Sequence, residues 1–284
     1  MNSPAFPQAA LDALSGAYPD AHAPLTHRLA AHPLLTVDAI AALAERLPDE
    51  RVEYNPGKLP LGITAQDTPR STLSIAETIR TIGDNGSWMV LKNVEADPIY
   101  RALLDEALEP LRPIVERRTG PMVHREAFIF LTSPGSVTPF HMDPEHNILL
   151  QIAGDKVMTV FPAGDPDLVP PEKSEAFHIG AHRNLIWDEA FLAKGTAVPM
   201  APGDAILVPV KAPHFVRNGD RVSISFSITW RSTRSVAESE LHSFNRLLRA
   251  RGLPLISVSA RPERQRLARL GYRVMRRLAE RPTA

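Results

Sequence analysis

Two glycine-punctuated apolar segments, 135–161 and 201–230, constrain this chain more than any other feature. The first holds His141-Met142-Asp143 between Gly135 and Gly154. On a strand, residues i and i+2 point the same way, so His141 and Asp143 are expected side by side. An imidazole and a carboxylate are two of the three donors in a 2-His-1-carboxylate metal site. His-x-Asp by itself is common and more often marks a hydrogen-bonded pair. The second segment changes the balance. Pro202-Gly203-Asp204 reads as a tight turn feeding the apolar strand Ala205–Pro209. His214 and Asn218 follow, and then the alternating strand Arg221–Trp230. A His between such strands can close a triad from the opposite side of a barrel.

Gly135, His141, Asp143, Asn147 and Gly154 follow the spacing of the first cupin motif, with Asp in place of its second His and Asn in place of its Glu. Gly203, Pro209, His214 and Asn218 follow the second motif, with Lys211 where that motif has Gly. With Thr138, Gln151 and Lys156 added, residues 124–231 resemble the JmjC branch of the cupins. These are 2-oxoglutarate-dependent Fe(II) oxygenases that include the asparaginyl hydroxylase of hypoxia signalling. The resemblance implies a mainly β fold with flanking helices: a double-stranded β-helix (cupin, jelly-roll) barrel with helical N-terminal decoration and C-terminal helices. It implies Fe(II) on His141, Asp143 and His214, with 2-oxoglutarate as co-substrate and O2 as oxidant. It assigns Lys156 and the Thr138 hydroxyl to the far carboxylate of 2-oxoglutarate, and Asn147 to its iron-binding end. A Lys within an apolar strand pair is costly unless paired, which agrees with a ligand partner. The family's Asn near the end of the last barrel strand is replaced here by Ser227, Ile228 or Thr229. Glu145, His146 and Asn218 stand close by without an assigned role.

The expected organisation is a loose N-terminal arm (1–35), a helical part packing on the barrel (36–122), the barrel core (123–231) and Arg-rich C-terminal helices (232–284). Thr36 caps an expected helix over 37–47. Residues 48–70 read as loop, 75–82 as a short helix and 88–91 as a buried strand. Asp97-Pro98 opens a helix towards Arg118, broken at Pro110 and Pro113. Residues 147–152 and 156–161 are expected to form a hairpin about Gly154. The proline-rich insert 162–200 carries His178, His182, Arg183 and Trp187, which are either substrate contacts or ordinary loop residues. Helices are expected over 236–250 and 262–280.

The chain has no Cys, which excludes disulfides, thiolate zinc and thiol catalysis. No apolar run approaches the length of a membrane span, so no membrane is expected as a partner. Residues 1–24 lack Lys and Arg and read as no export signal, which makes the cytoplasm the expected location. Net charge is zero, yet residues 231–284 hold 13 Arg, no Lys and four Glu. Such a tail suits either nucleic acid or a helix docked on an acidic barrel, or a homodimer through Leu267, Leu270, Val274 and Leu278. The docked or dimeric reading is favoured. The prime substrate is not legible beyond a protein side chain, an amino acid or a small molecule. Two other readings compete with the oxygenase: a metal cupin with non-oxidative chemistry, and a non-catalytic JmjC-like binding protein. Lys156 and Thr138 argue against the first, and the intact triad against the second.

Overall fold

The computed structural model describes residues 4–57, 59–64, 67, 73–259 and 261–279. In chain order its elements are α1 (Gln8–Ala17), β1 (Ala23–Thr26), α2 (Val37–Ala44), β2 (Val52–Pro56), α3 (Ile75–Arg80), β3 (Ser87–Leu91), α4 (Pro98–Leu108), α5 (Arg112–Thr119), β4 (Met122–Thr132), β5 (Val137–His141), β6 (His146–Ala153), β7 (Lys156–Val160), α6 (Pro171–Phe177), β8 (Thr196–Met200), β9 (Asp204–Val208), β10 (His214–Asn218), β11 (Ser223–Ser232), α7 (Thr233–Arg249) and α8 (Arg266–Ala279). The strands form two antiparallel sheets. One has seven strands in the order β1-β9-β6-β11-β4-β3-β2, the other four in the order β5-β10-β7-β8. This is the jelly-roll with flanking helices that the two motifs imply.

Strand β11 explains the layering. Its Ile224, Phe226, Ile228 and Trp230 join one core with the helical residues Leu14, Ile40, Leu104 and Val115. The alternate residues Ser223, Ser225, Ser227 and Thr229 are also buried, on the opposite face. A second apolar cluster, including Leu149, Met158 and Val208, fills part of the space between the sheets. A sheet buried on both faces, with one face of small hydroxyls, leaves a polar interior suited to a ligand.

Several expected elements stand as read. Thr36 caps α2 through a 3.3 Å bond from the Ala39 N–H. Ser74 and Glu77 form a capping box on α3. Asp97 caps α4, and the proline break falls where expected, with Pro113 in the first turn of α5, where its missing N–H costs nothing.

Other expectations are corrected. The segment 1–35 is no loose arm: Phe6, Leu14 and Tyr18 are almost fully buried, and β1 pairs with β9 over Ala23–Thr26. Burying side chains of this size stabilises by about 1.5–3 kcal/mol each, enough to order an Ala- and Pro-rich segment of weak periodicity. Residues 36–122 do more than pack helices on the barrel, because β2 lies within the expected loop and extends the large sheet through β3. The expected hairpin is a crossing instead. β6 pairs with β9 and β11, while β7 pairs with β10 and β8 in the other sheet. Gly154, at φ +68°, makes the crossing, and a Cβ there would collide with the Val222 carbonyl. The insert 162–200 contains α6 and ends in β8, which pairs with β7. Among the described residues no helix is long and apolar enough to cross a membrane.

Candidate active site

His141 ends β5 and His214 begins β10, and the two are directly opposed across the antiparallel pair. Their ring centroids lie 4.1 Å apart. Asp143 stands beyond the end of β5, so it reaches them from a turn and not, as expected, from the same strand face. Its Oδ2 lies 3.7 Å from His141 Nε2 and 3.5 Å from His214 Nε2. The imidazoles are aimed by their other nitrogens. His141 Nδ1 donates to the Pro139 carbonyl at 2.8 Å and His214 Nδ1 to the Ala212 carbonyl at 3.0 Å. A carbonyl only accepts, so both Nε2 atoms keep their lone pairs toward Asp143. Burial, reinforced by the neighbouring His214, pushes His141 down to about 3, and burial also lowers His214. Burial alone would raise Asp143, but the adjacent His141, Arg183 and His214 side chains hold it down at about 2. The result is two neutral imidazoles and one carboxylate, with ligand atoms within 4.8 Å of one another. That donor set suits a divalent transition metal with several coordination positions left open.

The register of β5 against β10 slips by one residue between Thr138 and His141. This bulge lets residues three apart share one cavity, which a strict two-residue alternation would forbid. The cavity, about 730 Å³ of empty space with its open mouth included, is lined by His141, Asp143, His214, Thr138, Asn147 and Lys156, among others. Every site residue expected from the sequence therefore lies around one space. Lys156 is buried and, among the described residues, its ammonium donates only to Ser225 Oγ, at 2.7 Å; Ser225 in turn donates to Gln151 Oε1 at 2.7 Å. Burial depresses the Lys156 ammonium to about 7, the mark of a cation without an anionic partner. Ser227 donates to Asn147 Oδ1 at 2.8 Å, which leaves the Asn147 amide N–H groups for the cavity. Of the three residues the sequence left open, Ser227 and Thr229 line the cavity and Ile228 joins the apolar core.

Glu145 also lines the cavity and pairs with Arg231 at 2.8 Å; burial and the nearby Asp143 raise its carboxyl to about 7. His146 faces away from the triad, stacked on Trp230 and bonded to Ser232 and Tyr18. Asn218 donates to Thr132 Oγ1 at 2.7 Å. Of the insert residues, Arg183 reaches Asp143 Oδ1 at 3.3 Å and His182 lines an outer groove. His178 is buried against His242, and Trp187 packs among Phe140, Phe161 and Phe215. Two residues were not singled out as site residues in the sequence. Trp88 lines the cavity from β3. Lys211 donates its backbone N–H to the Asp143 carbonyl at 2.9 Å, from a backbone with φ +59°. Its departure from the motif's Gly was the available signal. The Lys211 ammonium is held at 2.6 Å by Glu238 of α7 and at 2.7 Å by His242.

The chain is similar to known proteins. The family model described as a cupin-like domain matches residues 80–235. A Jumonji C domain-containing protein 5 of Drosophila melanogaster is 30% identical over 107 residues, covering 36% of this chain and 26% of that protein. A lysine-specific demethylase 8 of Xenopus tropicalis is 28% identical over 102 residues, covering 34% and 23%. The chain thus spans about a quarter of the length of the curated relatives it matches. Among solved structures, Escherichia coli YcfD superimposes with a TM-score of 0.52 at 15% identity, over 99% of this chain and 70% of that one. A second structure of YcfD, described as a ribosomal oxygenase in complex with cobalt and 2-oxoglutarate, gives 0.50 at 15% identity, over 95% and 66%.

Proposed function

Since the chain belongs to the cupin-like domain family, we propose that it is an Fe(II)- and 2-oxoglutarate-dependent dioxygenase that hydroxylates its substrate. One observation carries this reading: a 2-His-1-carboxylate donor set and a buried, anion-lacking lysine line the same cavity. The donor set alone would suit any metal cupin. The lysine adds a demand for an anion inside the barrel, and a dicarboxylic 2-oxo acid supplies one. The YcfD structure of similar fold holds cobalt and 2-oxoglutarate, a pairing that these residue types also suit.

His141, Asp143 and His214 would hold the iron, which when bound with the 2-oxo acid and O2 supplies the oxidising chemistry. The chain's own part is positioning. The carbonyls of Pro139 and Ala212 fix both imidazole tautomers. Arg183 engages Asp143 Oδ1 and leaves Oδ2 toward the histidines. Lys156 and Thr138 would take the far carboxylate, and the Asn147 amide would donate near the other end. Phe128, Phe130, Leu149 and Met158 line the remaining wall and limit water.

The test is thermal unfolding with Mn(II) alone and with Mn(II) plus 2-oxoglutarate. A ligand selective for the folded state raises its stability by linkage. The proposal expects a further rise on adding 2-oxoglutarate. A rise with metal and none from 2-oxoglutarate would favour non-oxidative metal chemistry, and no rise with either would favour a binding protein.

A further inference from the structure

The active-site cavity opens into an outer groove of about 1470 Å³. Five residues line both spaces: Trp88, Phe128, Thr138, His141 and Arg183. Any substrate presented to the metal ligands from the groove must pass this ring.

One member of the ring, Arg183, carries donors without acceptors among the described residues. Arg183 makes one side-chain bond, from Nη1 to Asp143 Oδ1, and its side chain is 39% exposed. Among the described residues its remaining N–H groups have no partner. Trp88 lines the ring as a wall, with its indole N–H buried out of reach of solvent. A guanidinium is shaped to grip a planar oxyanion through two parallel bonds. Arg183 is also built in. The Met142 N–H donates to the Arg183 carbonyl at 3.2 Å, the Leu185 N–H to the Phe140 carbonyl at 2.9 Å, and Asn184 Nδ2 to the Ile63 carbonyl at 2.8 Å. The insert thus forms an extra edge along the metal-bearing strand, and Arg183 projects from it. Charge points the same way. A divalent metal, a 2-oxo diacid dianion, Asp143, Lys156 and Arg183 together leave one positive charge, because Glu145 is paired with Arg231. A burial-limited space with a residual positive charge favours an anionic occupant.

We infer that the prime substrate carries a free carboxylate, gripped at the cavity mouth by Arg183. This rests on the oxygenase reading and deepens it. Arg183 then acts as a specificity-determining residue that distinguishes acids from their neutral analogues. The carbons nearest that carboxylate are the ones held beside Asp143.

The experiment compares the L-amino acids with their C-terminal amides. Two readouts are taken: the thermal shift of protein loaded with Mn(II) and 2-oxoglutarate, and the rise in succinate formation with Fe(II) over the rate without added substrate. At least one acid should give both responses at concentrations about tenfold or more below its amide. Arg183→Met should raise the concentration of that acid needed by about tenfold or more, and Arg183→Lys should restore part of the response. Equal responses to acids and amides, or none to any acid, would overturn the inference. So would loss of the 2-oxoglutarate thermal shift in Arg183→Met, since Arg183 would then serve the co-substrate. Absence of 2-oxoglutarate turnover in the wild type would remove the oxygenase reading itself, an outcome distinct from these.

Discussion

Lys156 is the residue whose physics is most exposed to test. Burial pulls its ammonium down to about 7 from the ordinary 10.5. Between those values the unfolded chain binds the extra proton, so the ligand-free protein gains stability as pH rises through this window and loses it as pH falls toward 7. A bound dicarboxylate reverses the preference by favouring the ammonium. Binding of 2-oxoglutarate in the presence of Mn(II) should therefore be tightest at and below about pH 7 and weaken by up to about tenfold per unit above it. In Lys156→Met it should be weak and flat over the same range; titration calorimetry reads both. Affinity that is flat or rising in the wild type would break the assignment. Lys156 and the triad were legible because they fall within two spaced motifs. Arg183 and Trp88 were not assigned, since one sits in an aperiodic insert and the other on a strand far away in sequence. No local pattern brings them together.

At the scale of elements, alternation in β11 was readable, but which face held the ligand was not. Both faces are buried, and only the second sheet makes the hydroxyl face an interior. The Gly154 turn shows the same limit. A Gly-Asp turn between two apolar strands suits a hairpin and a crossing between sheets equally well, and the choice is made by β9, β10 and β11, which arrive later in the chain. The N-terminal segment failed for a related reason: its helix and strand are short, and they are ordered by burial of Phe6, Leu14 and Tyr18. Because Gly154 has both a left-handed backbone and no room for a Cβ, Gly154→Ala should cost at least about 1–2 kcal/mol in urea unfolding. A neutral result would mean that the crossing is slack.

Across the whole molecule, the Arg-rich C-terminus is tied inward. Arg249 grips Glu175 and Glu172 of α6, Arg269 and Arg273 share Glu240 of α7, Arg231 meets Glu145 at the cavity, and Arg234 meets Asp20. Leu267, Leu270 and Val274 of α8 are exposed, while the Leu278 side chain lies outside the described residues. Lys211 and Glu238 carry this docking to the metal turn, since the Lys211 backbone holds the Asp143 carbonyl. Glu238→Gln leaves the Lys211 ammonium with no carboxylate and should destabilise the fold by about 3–5 kcal/mol. An effect within about 0.5 kcal/mol, the range of ordinary surface changes, would mean that α7 is not wired to the site.

The most direct measurement is succinate formation from 2-oxoglutarate with Fe(II), ascorbate and O2, wild type beside Asp143→Ala. The account predicts slow turnover in the wild type and none in the variant, because the carboxylate that completes the donor set is gone. Equal turnover in both would contradict the assignment of the metal to His141, Asp143 and His214, and no turnover in the wild type would contradict the oxygenase itself.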